Sequence, residues 1–474
     1  MRLTRPYTYL GTVQGLCRQC RRIVPARVIE EGGAVYQERI CPTCGPGRAR
    51  IADGVEWYLA RAATTVRCKP ARQAGGPVQA GCPWDCGPCA FHANACRLPV
   101  FSVTNACNLD CPICFTYNRA DRRYHMSRDE LRPLLDKLIE RAGPFDLINV
   151  TGGEPTLHPD VLSLLQECQR PEIGRVTMNS NGLRLAKDED FCRALADLGV
   201  YVVLSFDTFR PEVARTIHGR DLVAEKIQAL ENLQRFGIGT TLLNVMIRGL
   251  NDDEIGAVLE LARTHPVVRS VTVQTMTFTG HGGKNFTPRE HMPLDGAARA
   301  IEQATRGAMR ASDFFAHSGA HPLCYSIAYY LKTAERPADR FISFTDIFGV
   351  EELRQMLGLG YLLQPDDTSQ QAFKTAIDRL WAAGDERGVL PALKRLLARL
   401  YPAGQALTAF ERQAIAQENI LAVYLHSHMD EDTLDLGRLC VCSDQVPDPD
   451  GRLIPACAYN LFYRQKDPRF WSSA

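Results

Sequence analysis

Between residues 99 and 310 the apolar positions switch repeatedly between two periods. Short β-rich runs occur at PVFSVT (99–104), DLINVTGG (146–153), RVTMNSNG (175–182), YVVLSFDT (201–208), TTLLNVMI (240–247) and SVTVQTMTF (270–278). Between them lie stretches of about 12–17 residues whose apolar side chains recur at i, i+3 and i+4, the spacing of amphipathic helices. In SRDELRPLLDKLIERAG, Ser127 and Glu130 are spaced as a capping box, and Met126 and Leu131 as a hydrophobic staple. NDDEIGAVLELARTH repeats the entry signal with Asn251 and Glu254. Strands alternating with helices imply right-handed crossovers and a parallel sheet. Six such units fall short of the usual eight-stranded barrel, so the expected α/β fold is a partial barrel or strongly curved open sheet. Its chemistry belongs at the C-terminal ends of the strands.

The flanks read differently. Residues 1–70 hold two knuckles, Cys17-Arg18-Gln19-Cys20 and Cys41-Pro42-Thr43-Cys44. The Gly- and Pro-bearing segment ARQAGGPVQAG (71–81) has the composition of a linker and leads into CPWDCGPCAFHANAC, with Cys82, Cys86, Cys89 and Cys96. Residues 311–474 are mainly helical by pattern and end in a third cysteine-bearing segment. The expected organisation is therefore a small cysteine-rich domain at 1–70, a metal-binding segment at 71–98, the core at 99–310 and a C-terminal domain at 311–474. Neither an internal repeat nor a low-complexity tract is present.

Composition narrows the class. With 45% hydrophobic and 23% charged residues in 474, the chain is that of an ordinary soluble protein. It has no apolar run near the roughly 18–20 residues of a membrane span, and its N-terminus does not resemble a secretory signal, so a cytoplasmic location is expected. Eighteen cysteines in a long chain, grouped at C-x2-C and C-x3-C spacings, point to metal rather than to disulfides. Residues 1–75 carry 13 Lys/Arg against 5 Asp/Glu, leaving 42 against 49 for the remainder. Such a basic front suits nucleic acid, an anionic surface or the thiolate charge of a metal site, and does not choose among them.

The densest group is CNLDCPICF, with Cys107, Cys111 and Cys114 at C-x3-C-x2-C spacing directly after the first strand. Three thiolates can hold a [4Fe–4S] cluster and leave the fourth iron open, whereas a zinc knuckle would need a fourth ligand from elsewhere. This loop resembles the signature of the radical S-adenosylmethionine (SAM) superfamily. The resemblance implies a partial (β/α)6 barrel and a SAM-binding [4Fe–4S] cluster on Cys107, Cys111 and Cys114. It also implies reductive cleavage of SAM to a 5′-deoxyadenosyl radical that abstracts hydrogen from an unactivated carbon. TGGEP (151–155), at the end of the second strand, matches the superfamily's GGEP element: Gly152 and Gly153 would let backbone approach the ligand, and Glu154 could accept from the SAM ammonium. The following strand ends offer Asn179, Asn181, Ser205, Asp207, Asn244 and Gln274 as further cofactor or substrate contacts. The position before the third cysteine, often aromatic in the superfamily, is Ile113, which keeps an apolar contact to adenine but not stacking.

The remaining cysteines suggest further metal. Cys82, Cys86, Cys89 and Cys96 form one four-thiolate set for an auxiliary [4Fe–4S] cluster, with zinc as the alternative. Cys17, Cys20, Cys41 and Cys44 resemble both rubredoxin iron sites and zinc ribbons, one mononuclear metal in either case. Cys324, Cys440, Cys442 and Cys457 make a third group by neighbourhood, with His317, His321, His426 and His428 as competitors for its last place. Cys68 stays ungrouped, and Cys168 and Cys192 fall in helix patterns as small core residues.

This order of cysteine groups, with HSHMDEDTLDLGRLCVC and DGRLIPACAYN near the end, is similar to the archaeal tetraether lipid synthase family, to which pterin methyltransferase activity has also been ascribed. That implies joining of lipid chains by a carbon–carbon bond, taken first, or C-methylation of a dihydropterin, with a ferredoxin or flavodoxin as low-potential electron donor. The stretch LPALKRLLARLYP (390–402) has an apolar side fit for contact at the inner membrane surface, or for packing on its own domain. A zinc-ribbon nucleic-acid binder is the non-enzymatic alternative, but it leaves GGEP and the six units unexplained, so no nucleic acid is expected. A peptide-modifying radical SAM enzyme is a further rival.

Overall fold

The computed structural model describes residues 5–70, 78–87, 89, 91–116, 122–287, 290–332, 341–363, 365–385 and 388–471. Most of the expected linker, at 71–77, lies outside them. Four antiparallel strands, β1 (Thr8–Leu16), β2 (Ile23–Glu31), β3 (Ala34–Cys41) and β4 (Gly45–Ala52), form a sheet in chain order. The β1–β2 and β3–β4 turns carry the two cysteine knuckles. Alternating burial along β2 and β3 matches a sheet with one packed face.

The six core strands are β5 (Leu98–Thr104), β6 (Ile148–Gly152), β7 (Val176–Ser180), β8 (Tyr201–Ser205), β9 (Thr240–Met246) and β10 (Val268–Thr275). Each pairs in parallel with the next. The C-terminal region adds β11 (Phe315–Ala316), β12 (Tyr325–Leu331), β13 (Ile342–Ser343), β14 (Ile420–His426), β15 (Asp444–Pro447) and β16 (Leu453–Pro455). Two of these extend the barrel: β14 pairs in parallel with β10, and β15 in parallel with β5. Eight parallel strands therefore curve around one lumen, and the gap between the two edges is spanned by side chains. Tyr325 of β12 donates to Asp444 of β15 at 2.9 Å, and Tyr361 donates to the same carboxylate at 2.5 Å. The fold is the expected partial barrel with a cysteine-rich front and a largely helical C-terminal lobe.

The helix Arg128–Ala142 forms the expected capping box between Ser127 and Glu130, with Met126 and Leu131 fully buried beside it. The second entry signal is used otherwise. Helix Ile255–Thr264 has no side-chain cap, because Asn251 accepts from the Ile247 N–H at 2.8 Å and Glu254 accepts from Phe209 N–H and Arg210. Both side chains fasten the β8 and β9 loops instead.

In the C-terminal lobe the helix Leu390–Leu400 buries Leu393, Leu396 and Leu400 in a core shared with Phe344, Phe348 and Phe373. Its apolar side is thus occupied by its own domain, the packing alternative read for this stretch, and not by a membrane surface. Among the described residues no helix is long and apolar enough to cross a membrane. Cys168 and Cys192 are buried in the barrel core.

Candidate active site at the mouth of the barrel

The three-cysteine loop leaves the C-terminal end of β5 and is held there by glycine. A Cβ on Gly152, whose φ is +155°, would lie 2.1 Å from the Thr104 carbonyl, and one on Gly153 would lie 2.3 Å from that of Ala106. The closeness is used: Gly153 N–H donates to Thr104 and Glu154 N–H to Ala106, both at 2.7 Å. The two glycines thus dock the end of β6 onto the chain immediately before Cys107, rather than opening a path for a ligand. Gly282, in the helix Gly280–Asn285, donates its N–H to the Cys114 carbonyl at 3.1 Å and secures the loop's far end.

Cys107, Cys111 and Cys114 face a cavity of about 410 Å³ that also takes in Gly152, Gly153, Glu154, Asn179, Asn181, Ser205 and Gln274. Burial pushes the Cys107 thiol up to about 11 and Cys111 to about 12, and the neighbouring thiols add to the shift. Converging thiols that resist ionisation alone are suited to a cluster whose iron compensates three thiolates.

Glu154 is 1% exposed. Its carboxylate accepts from the Thr156 N–H and hydroxyl, the Ser180 hydroxyl and, at 2.7 Å, the Asn181 N–H. Most of its capacity goes to aligning the ends of β6 and β7. Asn181 in turn donates to Asn108 at 2.8 Å, inside the cysteine loop.

Two of the anticipated contacts lie off the cavity. Asp207 is 1% exposed, accepts from the Val245 N–H at 2.6 Å, and faces His218 at 3.0 Å and Lys226 at 3.6 Å. Against burial, His218 and Lys226 hold its carboxyl down to about 2. Asn244 donates to the Phe206 and Asp207 carbonyls. Ile113 packs with Ile217, Met276 and Phe278 and does not line the cavity.

His218 and Lys226 were not singled out in the sequence. Yet His218 lies 3.6 Å from the Cys111 sulfur, and the buried Lys226 donates to the Ser205 carbonyl at 2.7 Å. An ammonium behind the loop offsets the negative charge that three thiolates bring. The only sequence signal was a lysine on the apolar side of its helix.

The other cysteines assort differently from their spacing. Cys17, Cys20, Cys41 and Cys44 bring their sulfurs within 4.8 Å of one another. Despite burial, the N–H groups of Cys20 and Gln19 and neighbouring thiols lower Cys17 to about 6. Cys82 hydrogen-bonds to Cys440 and interacts with Cys86 and Cys89. Cys96 is instead buried in the barrel core, next to Asp444. Cys324, Cys442 and Cys457 interact as a second set, and the buried Arg438, also unremarked in the sequence, donates to the Cys324 sulfur at 3.2 Å.

Of the four histidines, His428 stacks on Phe115 at 5.1 Å and lies 3.6 Å from the Cys457 sulfur. His426 stacks on Tyr325 at 4.1 Å. Both line the cavity. His317 hydrogen-bonds to the Gly360 carbonyl, and His321 accepts from the Leu323 N–H.

Residues 101–262 match the sequence model of the radical SAM superfamily. This chain is a radical SAM enzyme. Residues 9–53 match the HMPTM N-terminal zinc ribbon domain, which supports an additional metal on the front knuckles. Among proteins with assigned names, the radical SAM enzyme is 24% identical to the 7,8-dihydro-6-hydroxymethylpterin dimethyltransferase of Methanocaldococcus jannaschii, over 95% of this chain and 93% of that protein. It is 35% identical to the GTP 3′,8-cyclase of Chlorobaculum tepidum over 36% of this chain, which spans about half (52%) of that cyclase. A crystal structure of Streptococcus suis SuiB bound to S-adenosylmethionine overlaps 44% of this chain and 47% of that one, at 18% identity and a TM-score of 0.37.

Proposed function

We propose that this radical SAM enzyme C-methylates a dihydropterin. The observation that carries the reading is the relation over 95% of the chain to a protein named as a dihydropterin dimethyltransferase. That similarity favours the pterin reading over the lipid-chain coupling placed first in the sequence analysis. The lumen agrees with the preference. Its lining combines Asn149, Thr177, Asn179, Thr241 and Ser270 with apolar and aromatic side chains such as Leu243, Tyr325 and Tyr424, a mixture that accommodates a heteroaromatic ring by its faces and its polar edges.

In this reading Cys107, Cys111 and Cys114 hold the cluster, and when bound it supplies, with SAM and one electron, the radical that activates a carbon. Gly152, Gly153 and Asn181 fix the loop, Lys226 moderates its charge, and Ser205 and Gln274 face the reactants. The low-potential electron donor is a ferredoxin or flavodoxin. The test is anaerobic incubation of the reconstituted enzyme with reductant, 6-hydroxymethyl-7,8-dihydropterin and excess SAM, one SAM serving as the radical source and a further SAM, or in a parallel reaction a reduced-pterin one-carbon carrier, as the methyl donor. The expected result is 5′-deoxyadenosine together with a pterin heavier by one or two methyl groups. SAM cleavage with the pterin unchanged under all such conditions would remove the reading.

For the additional metals we propose zinc on Cys17, Cys20, Cys41 and Cys44. One auxiliary [4Fe–4S] cluster is assigned to Cys82, Cys86, Cys89 and Cys440, and a second to Cys324, Cys442 and Cys457. The boundary between the cluster segment and the core then has no ligand-based meaning near residue 98, because Cys440 completes the first set. Cys440→Ala is expected to lower iron by about four atoms per chain, one cubane's worth. Cys96→Ala should keep the wild-type iron content, and measuring iron and sulfide in both variants decides between Cys440 and Cys96.

A further inference from the structure

The cavity does not end at the cysteine loop. It continues down the lumen past Tyr424, midway along β14, to the N-terminal starts of β7 and β9, where Arg175 and Thr241 line it. Arg175 lies five residues before Ser180, at the cluster end of β7. That is about 17 Å of extended chain. Arg175, Thr177 and Asn179 alternate toward the lumen, while Val176 and Met178 join the outer core. Barrel interiors are usually filled by branched apolar side chains, so a polar row ending in a cation departs from the ordinary packing.

Arg175 is half-buried and held in place. Its guanidinium lies over the Tyr201 ring at 4.1 Å. Gly239 makes room for that ring, since a Cβ there would come within 2.3 Å of it. Nε is buried and has no hydrogen-bond partner among the described residues. Asp146, the acid that acts on it electrostatically, is engaged by the Tyr361 N–H and by Arg97. Two further lining atoms, the Ser102 hydroxyl and the Asn179 side-chain carbonyl, are likewise buried and unpartnered among the described residues. Three buried polar atoms facing one lumen without partners, one of them on a cation, carry a desolvation cost that a ligand completing them would relieve. A guanidinium stacked flat on an aromatic ring keeps its edge free for a planar or tetrahedral oxyanion.

We infer that the floor of the lumen is an oxyanion subsite, where Arg175 receives a phosphate or carboxylate carried by the substrate at the end remote from the reacting carbon. Ser102 and Asn179 hydrogen-bond the body of the substrate between the two ends. The methionine carboxylate of SAM does not meet this need, because the three-cysteine loop that holds it lies at the opposite end of the strands. The identity of the body rests on the proposed dihydropterin reading. Within it, the preferred ligand is a phosphate ester of the hydroxymethyl arm or a ring carboxylate, not the free alcohol.

The test is calorimetry on the full chain, reconstituted with its clusters and saturated with SAM. The probes are inorganic pyrophosphate, 6-hydroxymethyl-7,8-dihydropterin, its diphosphate ester and 7,8-dihydropterin-6-carboxylate. Wild type should bind pyrophosphate, and should bind one anionic pterin about 10–100-fold more tightly than the alcohol, the range for hydrogen bonds to a charged group. Whichever anionic form binds better identifies the group as phosphoryl or carboxylate. Arg175→Met should lose both pyrophosphate binding and the preference, and Arg175→Lys should keep part of each at wild-type iron content. If Arg175→Met does not fold, Arg175→Lys alone decides, since its pyrophosphate affinity must fall.

Unchanged affinities in these variants, or no anion preference in the wild type, overturn the subsite. Arg175-dependent pyrophosphate binding with no binding of any pterin leaves the subsite standing and removes the dihydropterin reading.

Discussion

Replacing Cys107, Cys111 and Cys114 together by alanine abolishes 5′-deoxyadenosine formation while iron persists elsewhere in the chain. The three thiols share one loop and one cavity, so no other side chain takes over their iron. His218, whose Nδ1 lies 3.6 Å from the Cys111 sulfur and whose Nε2 faces Asp207 at 3.0 Å, offers at most one ligand atom and cannot replace three thiolates. The expected loss is to background, several orders of magnitude, because without the cluster there is no electron path to the carbon–sulfur bond of SAM. Iron should fall by about four atoms per chain and no further, since the other cysteine groups lie on separate segments. Chromatographic assay of 5′-deoxyadenosine, with iron analysis of the same sample, reads both. Residual SAM cleavage above background would place the reactive cluster elsewhere.

Gly152→Ala should disable the same site without touching a ligand. A methyl group there lies 2.1 Å from the Thr104 carbonyl, and φ of +155° already disfavours a side chain. Backbone strain of this kind costs about 1–3 kcal/mol, and overpacking against a carbonyl that cannot retreat adds about as much again. The chain relieves it by parting β6 from residues 104–106, which releases the anchor of the cysteine loop. The prediction is a stability loss of about 3 kcal/mol or more by denaturant unfolding, with poor incorporation of the SAM-binding cluster. Gly11→Ala, where nothing lies within 4 Å, is the control and should stay within about 0.5 kcal/mol of wild type.

Sequence patterning carried the reading furthest where its signals were local. The six strands, the cysteine loop and GGEP follow from alternation, spacing and position at strand ends. The Ser127–Glu130 box formed as read, whereas Asn251 and Glu254, equally well spaced, were drawn off by neighbouring loops. Cysteine spacing groups Cys96 with Cys82, Cys86 and Cys89, whereas in the fold Cys96, two residues before β5, lies in the barrel core and Cys440, far along the chain, faces Cys82. Partners brought together only by the fold leave no periodic trace. The same holds for β14 and β15, which lie in a region of helical pattern and whose parallel partners are remote in sequence. His218 and Lys226 looked like ordinary helix residues until the loop of Cys111 was laid over them. Arg175 did leave a trace, a polar row on a strand that should be buried on both sides, but at the end of the barrel opposite the chemistry.

The pairing of β5 with β15 joins residue 98 to residue 444. During synthesis the outer edge of β5 therefore waits, unpaired, until almost the whole chain has left the ribosome. Contacts of such long sequence separation form late and slowly, and an exposed strand edge invites association with other chains in the meantime. Cys440 and Cys457 arrive with the same final segment. Assembly of the auxiliary metal sites and closure of the barrel are thus one late event, and a chain truncated before residue 440 loses a barrel edge along with its ligands.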